Sequence, residues 1–598
     1  MAETLSTFIA SWSVPWYHAA GSALLMAAAF FGCGKLLLFS FPQKHFIAFA
    51  CGTALFMGLF ALLPANALLL WGVMLPFALY GMYRLFAVLR QYPLQGLLAG
   101  AFFLFTLASA LLPPYAWDEQ TYQLAVPLRA LQENSFVPFA DNPYSFYPAL
   151  TTWFWANAIQ LGGLELPRIL VGMITPALVL ELWQMGKRHG NITAATGAAA
   201  LLFSPLVLNM NRAVYAENFI ALFTLGGLAA FFAFRKKGFY APLLCGILAG
   251  SAFAVKPTGA LGSMMIFILF LFNGKEWKKL LLFCGTAFLF SFFWYLRTFL
   301  HTGNFFYPYA FAPLPGSVEH FHKILGSARY GLDGAAGALL NWLFAGFDNK
   351  LFDGMVTGFF LPALGVAAVA GAWMWKKRHP RHTPAVFCAL AILLLPVLCW
   401  SIFFPQSRFL LPCLPAAALL GAMALNHFPM KKWLFACAGV LLILTVAFQT
   451  WPFLKHYTVS WKILGAVRKD FPRALGFLAR DPGLFKSFEY LASSTPKEAR
   501  CLLLMERRGL YCPRKYALAA PGFEPSLTPV PETSEKLFEL LKTFDYIIVG
   551  ETTQDVDLQS VSADECKKVF AHLKELLDEG KLRAMPSAGY PVLKVIKE

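Results

Sequence analysis

The stretch PPYAWDEQTYQL, from Pro113 to Leu124, places two adjacent carboxylates, Asp118 and Glu119, directly after a long apolar segment. A carboxylate within reach of a hydroxyl can remove its proton, which is general base chemistry. Pro113 and Pro114 end the preceding helix, so both acids are expected just outside the hydrocarbon core of a membrane. The alternative is that both carboxylates simply face water at the start of a loop.

Other charged residues recur at the ends of apolar segments, on what is expected to be the same side of the membrane. Glu217 lies in NRAVYAENF and Lys256 in FAVKPTGAL. Taken alone, Glu217 could be an acid favoured by a helix N-terminus, and Lys256 could extend to the interface. Charges at this depth are costly unless they pair or bind something. Cations that hold a phosphate beside a carboxylate that removes a proton would account for both signs. The cations are Arg212, Lys256, Arg297 and Arg408.

The composition predicts a polytopic α-helical membrane protein. The 598 residues are 58% hydrophobic and 14% charged, with 60 Phe and a mean hydropathy of +0.58. A soluble chain would carry roughly a quarter charged residues. Because a span needs about 20 apolar residues, the sequence accommodates about fourteen transmembrane helices. They are predicted at 16–38, 46–64, 66–88, 94–113, 165–186, 192–209, 216–234, 239–255, 258–272, 279–299, 355–375, 385–404, 408–425 and 433–451.

The connecting loops predict the orientation. Alternate connectors, such as FRKKGF, NGKEWKK and KKRHPRH, all carry Lys or Arg, which marks them as cytoplasmic. Both termini are then expected outside the cell membrane. The net charge of +17 therefore reflects topology, and no nucleic-acid partner is expected. No cleavable signal peptide is expected at the N-terminus. No phosphate-binding glycine motif supports ATP-driven transport or dinucleotide chemistry.

The region 455–598 is expected to be an extracytoplasmic α/β domain. RCLLLM, DYIIVG and YPVLKVIK have the composition of buried strands, and SEKLFELLKTF and DECKKVFAHLKELLDEG have helical apolar spacing. No catalytic constellation is found in it, so it could recognise an acceptor, brace the loops or only pack. Cys501 and Cys512 could form a disulfide there or remain buried thiols. No cysteine and histidine spacing matches a zinc site.

The motifs WDEQTYQL, YAENF, VKPTG, TGNFFYPY and RFLLPCLP, in this order and on one side, resemble the GT-C superfamily of membrane glycosyltransferases. The nearest branches are protein O-mannosyltransferases, aminoarabinose transferases and rhizobial lipopolysaccharide galacturonosyltransferases. The resemblance covers roughly 94–451. It implies a GT-C-like catalytic region at 91–454 with outer loops 114–164 and 300–354, preceded by three additional transmembrane helices within 1–90.

This resemblance implies transfer of a sugar from a polyprenyl-phosphate donor, by displacement at the anomeric carbon with inversion. Asp118 would be the base and Glu119 would assist, while Glu217 would orient the acceptor or its loop. Lys256, Arg297, Arg408 and Arg212 would bind the donor phosphate. The residues implied for sugar or acceptor contacts are Tyr122, Tyr215, Asn218, His301, Asn304 and Tyr307.

The same resemblance places the enzyme in the bacterial cytoplasmic (inner) membrane as a multi-pass protein. Its partners would be membrane lipids, the polyprenyl-phosphate-linked sugar, and an acceptor hydroxyl on lipid A, another glycan or a protein. No obligatory metal is expected, although the families differ in metal dependence and a divalent cation is left open.

Three other functions compete with this hypothesis. A transporter or flippase of lipid-linked sugar would also need outer charges, but transporters tend to have internal repeats and broken helices near the midplane, and the sequence has no repeat. An O-antigen ligase or polymerase relies on Arg and His in a large outer loop, which the paired acids fit less well. A non-enzymatic scaffold is the third alternative.

Overall fold

The computed structural model of this chain describes most of residues 4–307 and much of the C-terminal region. The described residues are 4–41, 43–272, 276–307, 391–392, 394–399, 407–427, 451, 454–456, 458–464, 475–476, 478, 481–521, 527, 529–550, 563–587 and 589–597. The predicted span 355–375, nearly all of 433–451, part of 385–404 and most of the predicted loop 300–354 lie outside them.

The N-terminal half consists of apolar helices joined by short connectors. Five of them precede the acidic motif: α1 Leu5–Ala10, α2 Trp16–Leu37, α3 His45–Ala61, α4 Ala67–Gln91 and α5 Pro93–Ala110. The helices α2, α3 and α4 correspond to the three additional spans expected within 1–90. Asn157 joins the end of α3 to the rest of the chain, because its side-chain amide donates to the carbonyl oxygens of Phe60 (2.6 Å) and Leu63 (3.1 Å).

The segment after the acidic motif folds against the protein. A π-helix, Glu119–Gln123, leads into α6, Ala125–Glu133, and a 3₁₀ turn, Pro143–Phe146, precedes α7, Leu150–Gly162. The apolar face of α6 packs on protein: Val126 and Ala130 contact Phe139, and Leu124 and Leu128 belong to the main core.

The remaining described helices build the bundle around the acidic motif. They are α8 Glu165–Lys187, α9 Asn191–Leu202, α10 Pro205–Met210, α11 Glu217–Phe234, α12 Tyr240–Val255, α13 Ala260–Phe272, α14 Trp277–Thr302 and α15 Leu414–His427. Short 3₁₀ turns, Pro257–Gly259 and Ser407–Cys413, precede α13 and α15. The charged side chains of interest lie at the ends of these helices.

The predicted spans between 16 and 299, and the span 408–425, correspond to described helices with one correction. The segment 192–209, predicted as one span, is broken between α9 and α10. Pro205 causes the break, since it lacks an N–H and disfavours helical geometry at the preceding residue. Five described helices, α2, α4, α8, α11 and α14, are long and apolar enough to cross a membrane. The chain is a multi-pass α-helical membrane protein, and the count of about fourteen spans stays a prediction.

A mixed sheet lies in the C-terminal region. Its strands β1 Arg500–Leu504, β2 Lys515–Ala519, β3 Tyr546–Val549, β4 Leu582–Ala584 and β5 Val592–Val595 are arranged in the order β2-β1-β3-β5-β4. β2, β1 and β3 are parallel, and β5 is antiparallel to both β3 and β4. The helices of this region are α16 Pro482–Ser494, α17 Ser534–Leu541 and α18 Ala563–Asp578. Strands occur at all three segments predicted from sequence, whereas β2, β4 and α16 were not predicted.

The C-terminal region contacts the loop that carries Asp118. The Tyr511 hydroxyl donates to the carbonyl oxygen of Pro114 (2.7 Å), and the Leu510 amide donates to that of Gln120 (3.1 Å). The Leu518 amide of β2 donates to the Asp141 carboxylate (2.8 Å). These contacts hold the acidic motif between the helix bundle and the sheet.

Candidate active site

The π-helix determines how the acidic motif presents its side chains. Its wide turn is closed by the Leu124 amide, which donates to the Glu119 carbonyl (3.2 Å) five residues earlier. Pro127 has no N–H for the Gln123 carbonyl, which favours this local change of helical register. The turn brings the Tyr122 hydroxyl to the Asp118 carboxylate, where it donates to Oδ2 at 2.8 Å.

Asp118 keeps one carboxylate oxygen available. Its Oδ2 accepts from Tyr122 and from Arg408 Nη1 (2.6 Å), whereas Oδ1 accepts no hydrogen bond from any residue that the structure describes. The Asp118 side chain is 10% exposed, so it lies at the edge of the protein interior. Burial, and then the charge of Asp118, raise the pKa of Tyr122 well above its usual value, so Tyr122 stays a neutral donor.

Glu119 is fully engaged by the protein. Its Oε2 accepts from the amides of Tyr115 and Ala116, both at 3.1 Å, and its Oε1 accepts from the amide of Val214 at 2.8 Å. Arg168 Nε lies 3.1 Å from the same Oε1, but it is not aligned as a hydrogen bond, so this contact is an ion pair. With 0% exposure, Glu119 ties the motif to α8 and to the segment before α11.

A second ion pair lies at the start of α11. Lys256 Nζ donates to Glu217 Oε1 at 2.9 Å, and both side chains are buried. Glu217 is placed there by the first turn of α11, and Lys256 by the extended residue between α12 and the turn Pro257–Gly259. The other carboxylate oxygen, Glu217 Oε2, is buried without a hydrogen-bond partner among the described residues.

The ring of Phe409 joins the two ion pairs. Lys256 Nζ lies 4.7 Å from the centre of this ring, and the Arg408 guanidinium carbon lies 5.3 Å from it. Arg408 also lies 5.7 Å from the ring of Tyr215, which is buried. The structure therefore brings together, in one cluster, the predicted residues Asp118, Tyr122, Tyr215, Glu217, Lys256 and Arg408.

A row of aromatic rings extends from this cluster. Tyr122 stacks on Tyr144, with ring centres 4.6 Å apart and an angle of 19° between the planes. Tyr144 contacts Tyr147 edge to face at 5.6 Å, and Tyr147 lies 6.1 Å from Tyr307. Tyr307, predicted from sequence as a substrate contact, is thus connected to Asp118 through aromatic neighbours.

The predicted residues Arg297, His301 and Asn304, which lie at the end of α14 and just after it, are outside the cluster. Arg297 donates to the carbonyl oxygens of Ser145 and Tyr147, all at 3.4 Å, so its described hydrogen bonds hold the outer loop. His301 is exposed near the end of α14. The Asn304 side chain accepts from the Phe306 amide (2.9 Å) and closes a turn.

Arg212 and Asn218 lie near the cluster, and Asn218 supports the neighbouring backbone. The positive charge of Arg212 acts on Tyr115, Tyr215 and His456. Asn218 donates to the carbonyl oxygen of Met210 (3.0 Å), while its Oδ1 is buried without a partner among the described residues. His456 contacts the Tyr115 hydroxyl (2.9 Å), and burial lowers the pKa of this histidine to about 3, so it is neutral.

Sequence reasoning missed several buried polar residues near the cluster. Arg168, 1% exposed, lies within a predicted span, where its residue type alone does not distinguish it from a snorkelling side chain. Asn209 and Gln120, both 1% exposed, have side-chain amides with no described hydrogen bonds, as does the Thr258 hydroxyl. Each unsatisfied group costs roughly 1–3 kcal/mol, so polar atoms left in this way are typical of ligand sites.

Carboxylates such as those of Asp118 and Glu217 are also potential metal ligands. Within the described ranges, no three His, Cys, Asp or Glu side chains are arranged to hold a metal ion. Asp118 and Glu217 each pair with a cationic side chain, Arg408 and Lys256 respectively.

The bundle and its cluster define a class: a multi-pass helical membrane protein with acids and cations gathered at the ends of its helices. No known family model and no curated protein matches the sequence. Among solved structures, ArnT from Cupriavidus metallidurans bound to undecaprenyl phosphate matches with a TM-score of 0.51 at 14% identity, over 85% of this chain and 99% of that one. The apo state of the same protein matches at 0.45 and 15%, over 83% and 97%. The chain therefore shares the fold of ArnT, an aminoarabinose transferase, which agrees with the resemblance seen in the sequence.

Proposed function

We propose that this protein is a glycosyltransferase that moves a sugar from a polyprenyl-phosphate donor to an acceptor hydroxyl. The observation that carries the proposal is the cluster itself. Asp118 has a carboxylate oxygen, Oδ1, that accepts no hydrogen bond from the described residues, while Arg408 and Lys256 place two cations on the same Phe409 ring. The structural neighbour ArnT was solved with undecaprenyl phosphate bound, which supports a donor of this kind.

In the proposed reaction, Asp118 Oδ1 removes the proton from the acceptor hydroxyl as its oxygen attacks the anomeric carbon. The bond from this carbon to the phosphate oxygen breaks, and polyprenyl phosphate leaves. Attack from the face opposite the leaving group inverts the anomeric centre. Arg408 and Lys256 hold the phosphate and stabilise the charge that develops on it.

The neighbouring residues would position these groups. Tyr122 and Arg408 both bind Asp118 Oδ2, which directs Oδ1 away from them. Glu119 has no oxygen free among its described contacts, so we assign it the role of holding the motif. Glu217 would orient Lys256, and Arg297 would hold the outer loop. Tyr307 and the aromatic row would contact the sugar, because sugar rings pack on aromatic faces.

The decisive experiment separates transfer from transport. Purified full-length protein is incubated with labelled polyprenyl-phosphate sugars and a membrane-lipid acceptor extract. Release of polyprenyl phosphate that requires Asp118 supports transfer. Movement of the labelled lipid across liposomes that persists in Asp118→Asn, with no release, contradicts the proposal and supports a transporter.

Replacing Lys256 by alanine is expected to weaken donor binding more than it slows the bound reaction. A charge-assisted hydrogen bond contributes roughly 1.5–3 kcal/mol, so KM for the donor should rise roughly 10–100-fold. The measurement is a pair of titrations of donor and acceptor, giving KM and kcat for each. Unchanged donor affinity would refute the assigned role.

The control distinguishes the effect of losing the Lys256 charge from the effect of leaving the Glu217 carboxylate without its partner. In Lys256→Ala, Glu217 remains buried without its partner, which itself destabilises the fold. The double variant Lys256→Ala/Glu217→Gln removes both charges, so its thermal stability should recover while the donor KM stays raised. Recovery of the donor KM in the double variant would assign the effect to Glu217.

We further propose that both termini and the region 455–598 face the outside of the cytoplasmic membrane, and that the acceptor is a lipid, glycan or protein at that surface. The contacts of Tyr511 and Leu510 with the Asp118 loop support placing this region on the same side as the cluster. Lysine- and arginine-rich connectors on the opposite side support the same orientation.

In this orientation, Cys501 and Cys512 are expected to be oxidised to a disulfide in the native membrane. Both are buried thiols in the structure, and a hydrogen bond with Cys512, followed by burial, raises the pKa of Cys501 well above its usual value. Oxidation would transfer two electrons and two protons to a disulfide-bearing oxidant of the envelope. The bond would close the loop that carries Leu510 and Tyr511, and contribute about 3 kcal/mol.

The measurement is maleimide labelling of denatured protein with and without prior reduction. Two additional labelled cysteines after reduction support the bond, and the double variant Cys501→Ser/Cys512→Ser should show no such increase. Equal labelling before and after reduction would show that the pair stays reduced. Cys566, which lies in the core on the other face of the sheet, serves as the reference cysteine.

A further inference from the structure

A cavity of about 620 Å³ lies beside the loop that carries Asp118. It is lined by Pro113 and Pro114, which precede Asp118 in sequence. Its walls come from α1 and the start of α2, from the connector that follows α5, from the start of α8, and from Leu464 and Tyr511. No residue of the cluster around Asp118 is among these lining residues. The cavity is therefore separate from the proposed donor site.

The lining has the chemistry of a carbohydrate site. Glu165 is the one charged residue among the described residues that line the cavity, and it is accompanied by the hydroxyls of Ser6 and Ser13. Trp16, Tyr17 and Tyr511 add aromatic surface. A single carboxylate accepts hydrogen bonds from hydroxyls and repels anions, so the lining suits a head group rich in hydroxyls and without negative charge.

The Glu165 side chain has a fixed position in the wall of the cavity. It faces Ser13 and the Val14 amide, and its Oε2 is buried against Gly163. Gly163 makes room for it: this residue has φ +69°, and a Cβ there would lie 2.6 Å from Glu165 Oε2. An acid at a helix start needs no such burial to interact with the helix dipole.

The mouth of the cavity suits a lipid. Trp16 is 51% exposed and Tyr17 66% exposed, and they begin the apolar helix α2. Aromatic side chains at a helix end are typical of the membrane interface, where one part of the ring is apolar and the other wet. A lipid could therefore leave its chains in the bilayer while its head group enters the cavity.

The cavity is connected to the proposed chemistry through its walls. Tyr511 lines it and donates to the Pro114 carbonyl, four residues before Asp118. On α8, Arg168 follows Glu165 by one turn and pairs with Glu119. A ligand in the cavity would thus contact the segments that fix the acidic motif.

We propose that this cavity binds the hydroxyl-bearing sugar head group of a glycolipid acceptor, with Glu165 as its hydrogen-bond acceptor. The inference rests on the proposed function, since it names the acceptor class, but its test does not use catalysis. The proposal also assigns a role to the C-terminal region, because Tyr511 of this region forms part of the cavity wall.

The test measures lipid retention by native mass spectrometry. Full-length protein in detergent is loaded from vesicles of phosphatidylglycerol with a minor fraction of monoglucosyl diacylglycerol. Wild type should retain the glucosyl lipid, whereas Glu165→Met and the cavity-filling Ala10→Trp should each retain roughly tenfold less. The first replacement removes the hydrogen-bond acceptor, and the second fills the space of the head group. Glu498→Met, at an exposed acid outside the cavity, is the matched control and should retain as much as wild type.

Retention of phosphatidylglycerol should be equal in all four proteins. Equal retention of the glucosyl lipid in wild type and both cavity variants would overturn the inference, and so would equal loss of both lipids, which would indicate general detachment of surrounding lipid. If the retention pattern holds but wild type releases no polyprenyl phosphate, the proposed function fails and the cavity stands. If release occurs without the pattern, the cavity assignment alone fails.

Discussion

Replacement of Asp118 by asparagine is expected to reduce sugar transfer by about 10²–10⁴-fold while the protein remains folded. Asparagine has nearly the same shape as aspartate, and its carbonyl oxygen can still accept from Tyr122 and Arg408, which both bind Oδ2 in the native protein. The variant loses the ability to take a proton at Oδ1 and the negative charge that pairs with Arg408. The measurement is release of polyprenyl phosphate at saturating donor and acceptor.

The matched control is Asp141→Asn in the same outer loop. Asp141 accepts from Arg129 (2.7 Å) and from the Leu518 amide (2.8 Å), so this carboxylate is structural and lies away from Phe409. Its replacement should affect thermal stability more than kcat. If Asp118→Asn retains full kcat, or if Asp141→Asn matches its loss, Asp118 is not the base.

A further comparison uses donor affinity. Because Asp118 pairs with Arg408, removing its charge frees this guanidinium for the donor phosphate. Donor KM in Asp118→Asn should therefore stay the same or fall, whereas in Lys256→Ala it should rise. The two variants should separate the proton-removing step from the binding of the phosphate.

The cluster could be predicted from sequence because its charged residues lie within or beside apolar segments, where a membrane protein rarely has charges. Asp118, Glu217 and Lys256 each interrupt or border an apolar segment, and the loop charges placed them on one side. The structure then brought Glu217 and Lys256 into direct contact. The energetic cost of an unpaired charge at this depth explains why the prediction of proximity succeeded.

The difference between Asp118 and Glu119 could not be predicted. Both are adjacent acids in one motif, and their roles diverge because the π-helix turns one toward Arg408 and the other toward Arg168. This turn depends on hydrogen-bond register, which local propensity does not determine. In the same way, Arg297 looked like a phosphate ligand by residue type, but its described partners are backbone carbonyls.

Helices could be predicted where the sequence has a long apolar segment. The prediction failed where a single residue interrupts such a segment. Helices α2, α8 and α11 match the predicted spans within a few residues, while Pro205 divided another. In the C-terminal region, β2 was missed because KYALA is short and lacks β-branched residues. Its place in the sheet comes from pairing with β1, which is a tertiary effect.

Loss of Arg168 is expected to destabilise the protein by about 3–5 kcal/mol, because it would leave the Glu119 carboxylate buried without its cation. Arg168 is 1% exposed, its Nε lies 3.1 Å from Glu119 Oε1, and its other nitrogens donate to the carbonyl oxygens of Leu112 and Arg212. In Arg168→Met these two carbonyls also lose their donors. The measurement is unfolding in mixed micelles, followed by Trp fluorescence.

Two controls test whether the ion pair is the cause. Arg188→Met, an exposed position directly after the same helix, should change stability by less than about 0.5 kcal/mol. The double variant Arg168→Met/Glu119→Gln should be less destabilised than the sum of the two single variants, because no buried charge is left unpaired. Strict additivity, or an Arg168→Met protein as stable as Arg188→Met, would show that Glu119 is held by its three backbone amides alone. The acidic motif would then owe its position to the π-helix, and Asp118 would keep its geometry without α8.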